Sequence, residues 1–260
     1  MNQGTTLITG ASGGIGRELA RVFAAHGHEL ILAGRNRKRL LALARELNEV
    51  RDGVRATVLT ADLGKPEGAK TLFDSVRRRK IDVEILVNNA GAMSNGDFAD
   101  IPLAAHLDVI HVNVVAPTVL AYLFLGAMLE RGHGRILHVA SMAGFQAIPR
   151  LAVYAASKAY GMHLAEALSE EVAGTGVTVT ALCPGFTRTG ILSQAPDAAR
   201  LPPFAVGSPA DVALDGYRAC MNAIPLQVSG LANQLAAQAI RYQPRWLARS
   251  IAGAIARRNK

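Results

Sequence analysis

The sequence predicts an α/β fold, a doubly wound parallel sheet with helices on both faces (Rossmann), in a single domain with a helical C-terminal extension. Three observations carry that expectation. Short aliphatic and β-branched runs recur along the chain, stretches of helical periodicity separate them, and a glycine-rich turn, TGASGGIG at 9–16, follows the first run. Strands alternating with helices imply right-handed crossovers, and these build a parallel sheet covered on each face. With 260 residues, half of them hydrophobic, the chain is long enough for one substantial core.

In order, strands are expected at about 5–8 (TTLI), 29–33 (ELILA), 56–60 (ATVLT), 83–87 (VEILV), 135–140 (RILHVA) and 177–183 (VTVTALC). The first runs into Gly10, Gly14 and Gly16. Glycine costs backbone entropy, so three so close together imply a tight turn or a close ligand. Leu19, Val22 and Phe23 then repeat at helical spacing, with Gly27 as the stop. A helix N-terminus behind a glycine turn suits a phosphate group. By itself the pattern also fits a turn that merely lets strand and helix pack closely.

Residues 111–129 (HVNVVAPTVLAYLFLGAML) carry no formal charge and approach the length of a membrane span. Asn113, Pro117 and Thr118 interrupt them and soluble α/β units flank them, so the reading is a buried helix, which also suits a subunit interface. A long irregular stretch, about 186–208, contains Ile191, Leu192, Leu201, Phe204 and Val206 and suggests a loop over an apolar substrate. SPAD at 208–211 reads as an N-cap, a proline at the first helical position and an acid at the third. Residues 1–225 are expected to form the sheet-bearing domain, and 226–260 a basic helical extension.

The net charge is +8, and residues 241–260 hold Arg241, Arg245, Arg249, Arg257, Arg258 and Lys260 without an acid. The excess is therefore largely a property of the tail. There Trp246, Leu247, Ile251, Ala254 and Ile255 share one helical face, the pattern of an amphipathic helix that packs on the enzyme or makes weak membrane-surface contact. RNRKR (35–39) and RRRK (77–80) lack interleaved aromatics, so no nucleic-acid partner is expected. Cys183 and Cys220 show neither metal nor disulfide spacing. With a first strand beginning near Thr5 and no expected leader, the reading is a cytoplasmic protein. The seven histidines have no thiolate or carboxylate partners at ligand spacing, so the metal expectation is none.

Ligands of doubly wound sheets sit beyond the strand C-termini. Gly10, Arg35, Asp62, Asn89, Ser141 and Pro184 follow the six strands and would share that rim. Beyond Ser141, YAASK (154–158) opens a long helix. Residues four apart share a helical face, so the Tyr154 phenol and the Lys158 ammonium are neighbours, and a nearby cation lowers a phenol's pKa toward neutrality.

TGASGGIG, Asp62–Leu63, NNAG (88–91), Asn113, Ser141, YAASK and Pro184–Gly185, in that order, resemble the short-chain dehydrogenase/reductase family over about residues 5–190. The resemblance implies that Tyr154 is the general acid/base and that Lys158 holds the nicotinamide ribose and tunes Tyr154. Ser141 would hydrogen-bond the substrate oxygen, and Asn113 would support a proton relay. It further implies a dinucleotide site of Gly10, Ser12, Gly13, Gly14, Ile15, Gly16, Asp62, Leu63, Asn89, Ala90, Gly91, Pro184, Gly185 and Thr187, shared with Tyr154 and Lys158. At the end of the second strand an acid would bind the adenine ribose 2′-hydroxyl. Arg35 stands there instead, followed by Arg37 and Lys38, and guanidinium matches phosphate geometry, so the expected cofactor is NADP. A plain solvated helix start is the other reading of this run, and it suits Arg39 better than Arg35.

The expected function is an NADP-dependent carbonyl reductase or alcohol dehydrogenase acting on an apolar small molecule, as a homodimer through the helix around 113–129 and the one after Tyr154. Ala155, Ala156, Ala159 and Gly161 are small enough for close helix packing there. A catalytically silent NADP-binding regulator and a basic membrane- or nucleic-acid-associated protein are the alternatives.

Overall fold

The computed structural model describes residues 3–50, 55–189 and 206–242. Seven parallel strands form one sheet in the order β3-β2-β1-β4-β5-β6-β7. They are β1 (Thr5–Thr9), β2 (Glu29–Gly34), β3 (Ala56–Thr60), β4 (Val83–Asn88), β5 (Gly134–Val139), β6 (Val177–Cys183) and β7 (Leu226–Val228). The order reverses between β1 and β4, and that switch point opens a crevice at the carboxyl ends of the strands.

Each strand sends alternate side chains to opposite faces, and the two faces carry separate cores. Leu7, Ile31 and Leu86 join Leu72, Leu120 and Phe124 on one face. Ile8, Leu30 and Leu32 join Leu19, Phe23 and Val212 on the other. The first layer comprises α3 (Gly68–Arg78), α4 (Leu103–Ile110), α5 (Ala116–Arg131) and α6 (Ala152–Glu171). The second comprises α1 (Gly14–Ala25), α2 (Arg37–Val50) and α7 (Pro209–Met221). Periodicity explains α1: Leu19, Ala20, Phe23 and Ala24 are buried on one stripe, and Gly27, at φ +88, turns the chain into β2. At α7 the Ser208 hydroxyl accepts from Ala210 N, as the SPAD signature implied.

Two expectations are revised. The boundary at 225/226 does not separate the sheet from the C-terminal segment, because β7 pairs with β6 through Ala181, Leu182 and Cys183. Three residues, all half-buried, are too short a run to read as a strand. The segment then continues as α8 (Leu231–Tyr242); the amphipathic pattern around Trp246 lies outside the described residues, as does most of the expected substrate loop.

The apolar stretch 111–129 belongs to one helix, Leu103–Arg131, long and apolar enough by length and composition to cross a membrane, with 39% of its most apolar window buried. It packs on α3, β4 and β5. Tyr122 and Leu129 stay exposed, so the helix is half-buried rather than buried. Of the small residues expected at an interface, Ala155 is buried and Gly161 faces the sheet, where an added Cβ would overlap His138 Nε2.

Candidate active site

Gly10, Arg35, Asp62, Asn89, Ser141 and Pro184 each stand within two residues of a strand end and share the rim. At the first of these ends, Gly10 (φ +67) and Gly14 (φ +54) occupy the left-handed region. Gly16 is fixed by proximity: a Cβ there would lie 2.5 Å from the Gly10 carbonyl oxygen and overlap Asn89 Nδ2. That amide donates to the Thr9 carbonyl at 2.8 Å, while the Thr9 hydroxyl accepts from the N–H groups of Asn89 and Ala90, both at 3.0 Å. The glycine turn is thereby stapled to the NNAG turn, of which Ala90 and Gly91 are half-buried.

Gly13 has open space where its Cβ would be and caps α1 with no side-chain hydrogen bond. A cleft of about 500 Å³ begins here, lined by Ser12, Gly13, Gly14, Arg17, Arg39 and Arg188, among others. Glu18 also reaches it, but its carboxylate is held by Arg21 at 2.7 Å. Free backbone N–H groups, a hydroxyl and the Arg39 and Arg188 guanidinium groups, with Arg17 paired to Glu46 at 3.1 Å, make an anion-binding wall, so the residues present fit a dinucleotide phosphate. Ile15 and buried Gly16 pack α1 behind it.

The basic run after β2 lies on the surface. Arg35, Arg37, Lys38 and Arg39 are all exposed, and Arg39 also lines the cleft. Asn36 is the reason: its Oδ1 accepts from Arg39 N at 3.0 Å and caps α2, which sets Arg39 in the first turn facing Ser12 and Gly13. Arg39 is therefore the solvated helix residue expected from the sequence, and it borders the cleft as well. Asp62 Oδ1 accepts from Gly64 N at 3.1 Å, and Leu63 is buried beside it.

At the other end of the rim Ser141 caps a 3-10 turn (Met142–Phe145), its hydroxyl accepting from Ala143 N at 3.1 Å. It also hydrogen-bonds the Tyr154 side chain. Pro184 O accepts from Met142 N at 2.9 Å, and buried Thr187 donates to Gly185 O at 3.0 Å. The sheet ends after β5 and β6 are thus tied together.

Lys158 is buried one helical turn after Tyr154. Its Nζ donates to Val139 O at 2.9 Å and lies 5.9 Å from the centre of the Tyr154 ring. Burial lowers the Lys158 pKa to about 8. The same burial raises the Tyr154 phenol above its ordinary value, with the Ser141 hydrogen bond opposing it. The expected lowering of the phenol by Lys158 is therefore not found. The ammonium is directed to Val139 O, and desolvation dominates.

Asn113 sits in a π-helical turn (His111–Val115) between α4 and α5. Its side chain is fully committed: Oδ1 accepts from Ala92 N at 2.8 Å, and Nδ2 donates to Ala92 O and Ser157 Oγ, both at 2.9 Å. No proton relay runs through an amide so engaged. Its main-chain carbonyl is another matter, because Pro117 stands four residues on and has no N–H to offer it in the α-helical register. Single π-turns of this kind occur often at functional sites. The side-chain role is illegible in the sequence, since nothing there couples residue 113 to residues 92 and 157.

Known proteins agree with this arrangement. The family model described as short chain dehydrogenase matches residues 4–199. A Streptomyces coelicolor protein named for ketoacyl reduction is 38% identical over 185 residues, 70% of each chain. A 7β-hydroxysteroid dehydrogenase structure superposes with a TM-score of 0.86 at 26% identity, covering 96% of both chains. A short-chain dehydrogenase from Sphingobium yanoikuyae in complex with NADPH superposes with a TM-score of 0.81 at 30% identity, covering 93% of this chain and 96% of that one. A glycine-turn anion cleft at one end of the rim and a Ser-Tyr-Lys cluster at the other, on this topology and with these relatives, place the chain in the short-chain dehydrogenase/reductase family of oxidoreductases.

Proposed function

We propose that this protein is an NADPH-dependent reductase of an apolar carbonyl compound. The observation that carries the reading is the cluster of half-buried Ser141 and Tyr154 with buried Lys158, on the same strand-end rim as a cleft with an arginine-rich wall. Bound there, the nicotinamide would supply the hydride, and the protein supplies orientation and a proton. Ser12, Gly13, Gly14 and the α1 N-terminus would hold the pyrophosphate. Arg39, with Arg35 and Arg37 on the rim outside it, would receive the 2′-phosphate. Asp62 and Leu63 would flank the adenine, and Asn89, Ala90, Gly91 and the Pro184–Thr187 turn would line the remaining length.

A substrate carbonyl oxygen between the Ser141 and Tyr154 hydroxyls accepts from both. Burial keeps the Tyr154 proton on the phenol, which leaves it set to donate as negative charge develops on that oxygen. Lys158, with a pKa of about 8, is charged at neutral pH and loses that charge as pH rises past 8. While charged it would hold the nicotinamide ribose beside the Val139 carbonyl to which it already donates. The Asn113 carbonyl is a place for the water that returns a proton, while its side chain holds Ala92.

The apolar character of the substrate rests on exposed Phe186 beside the Pro184–Gly185 turn and on the relatives named for ketoacyl and hydroxysteroid chemistry. The test is NADPH consumption over ketones graded in chain length and ring size, including acyl thioesters. Turnover that grows with apolar bulk is expected, and no consumption with any of them contradicts the reading.

The same reading includes a homodimer through the exposed face of α5 and α6, where Tyr122, Leu129 and Tyr160 are uncovered. Thr118 Oγ1 and Tyr160 Oη, 2.9 Å apart, already join these two helices. Sedimentation as a monomer at micromolar concentration would refute it. Cytoplasmic residence rests on two buried free thiols, Cys183 and Cys220.

A further inference from the structure

Gly185 poses a question that the dinucleotide reading leaves open. Its φ lies outside the left-handed region, so its backbone accommodates any side chain. The obstacle is a neighbour: a Cβ at 185 would lie 2.5 Å from Asn233 Oδ1, 2.7 Å from its Cγ, and overlap its Nδ2. Asn233 belongs to the first turn of α8, and its amide is anchored, donating to Ser229 O at 2.7 Å. Ser229 is buried and anchored in turn. Its N–H donates to Cys183 O at 3.2 Å and its hydroxyl to Asp215 Oδ2 at 2.6 Å.

The carboxamide therefore rests on Gly185 with little freedom to leave. Ala237, one turn further along α8, is buried on the same face, whereas Leu231 and Leu235, two residues to either side of Asn233, are exposed. The inward face of α8 is thus the one that carries Asn233. This helix also packs on the 3-10 turn that follows Ser141, and Met142 N in that turn donates to Pro184 O. The Ser141 turn, the Pro184–Gly185 turn and α8 form one packed unit.

We propose that Asn233 is a positioning residue that seats α8 on Gly185 and fixes this helix as the wall of the substrate end of the cleft. The wall sets how bulky a carbonyl compound reaches Ser141 and Tyr154. Glycine at 185 is then a requirement of the helix above it as well as of the turn. The kinetic consequence rests on the reductase reading, but the seating itself does not.

The experiment compares the full-length wild type with Gly185→Ala, Asn233→Ala and the double variant. Hydrogen exchange of residues 231–242 reads the seating, and KM and kcat for a small and a bulky ketone read the wall. In Gly185→Ala the new methyl displaces the amide. Exchange in α8 accelerates about tenfold or more, and KM for the bulky ketone shifts about tenfold, with a much smaller change for the small one. Asn233→Ala removes the obstacle, so adding Gly185→Ala to it changes exchange and KM by no more than about twofold. If Gly185→Ala folds poorly, its melting temperature must recover in the double variant. The proposal is overturned if Gly185→Ala costs the same factor in both backgrounds, or if α8 exchange is unchanged by either substitution. A wild type that consumes no NADPH with any ketone defeats the reductase reading, and the exchange comparison still decides the seating.

Discussion

The two ends of the strand-end rim are walled with different materials. At the glycine turn the contacts are mostly backbone, with the stapled Asn89 amide among them: a Cβ on Gly16 would lie 2.5 Å from the Gly10 carbonyl oxygen, and one on Gly10 2.8 Å from Ala90 Cα. At the catalytic end, Gly185 meets the end of a side chain, the Asn233 carboxamide. Gly144, pressed on the backbone of Lys158 and Ala159, belongs with the first kind. A wall of backbone cannot yield without moving a strand, whereas a side-chain wall yields when one residue changes. The difference suits the proposed roles, since the dinucleotide end would serve one fixed ligand and the other end a choice of substrate.

The sharpest way to break this comparison is in the glycine turn itself. Gly16→Ala should lose on the order of 3 kcal/mol of stability together with cofactor affinity, because neither Gly10 O nor the stapled Asn89 amide has somewhere to go. Gly13→Ala, only three residues away, faces open space and should leave the melting temperature nearly unchanged. Thermal unfolding and NADPH titration of both variants decide it. Equal losses would show that the turn is not held by these contacts.

Each half also buries a neutral histidine, His28 ahead of β2 and His138 within β5. Burial lowers their pKa values to about 4 and about 3. Both are below the ordinary 6.5, so the unfolded chain binds protons more readily than the folded one in the acid range. Stability is fully present above pH 6.5 and is lost as pH falls from there through about 4 and on toward 3. His28 alone accounts for on the order of 3 kcal/mol of that loss. Denaturant titrations from pH 7 to pH 4 should therefore flatten in His28→Phe. An unaltered slope would mean that other groups carry the acid sensitivity.

A smaller effect separates the arginines. Arg39→Ala should weaken NADPH binding about tenfold with NADH binding kept, and Arg35→Ala should weaken it less. The reverse ranking would return the 2′-phosphate to Arg35.

These two arginines mark the line between what is legible in the sequence and what is not. The six longer strands and the glycine turn are readable because periodicity and φ demands are local, and the rim follows from where strands end. Arg39 reads correctly as a solvated helix residue, but that it borders the cleft depends on the Asn36 cap, which the basic run does not announce. β7 is invisible there because three half-buried residues have no period. Asn113 reads as a relay group, yet its amide is spent on Ala92 and Ser157, contacts that only the fold creates. A four-residue spacing implies that the Tyr154 pKa falls, but spacing does not report desolvation. Asn233 lies 48 residues beyond Gly185 in the chain, and no local pattern links them.

The central claim is that Tyr154 is the proton donor of a carbonyl reduction, and Tyr154→Phe tests it most directly, because the change removes one hydroxyl and keeps the ring against Lys158. NADPH binding, followed by its fluorescence, should be unchanged within about twofold, while kcat for the best ketone of the graded series falls by about a thousandfold. Turnover near the wild-type rate in that variant, with binding intact, would contradict the account.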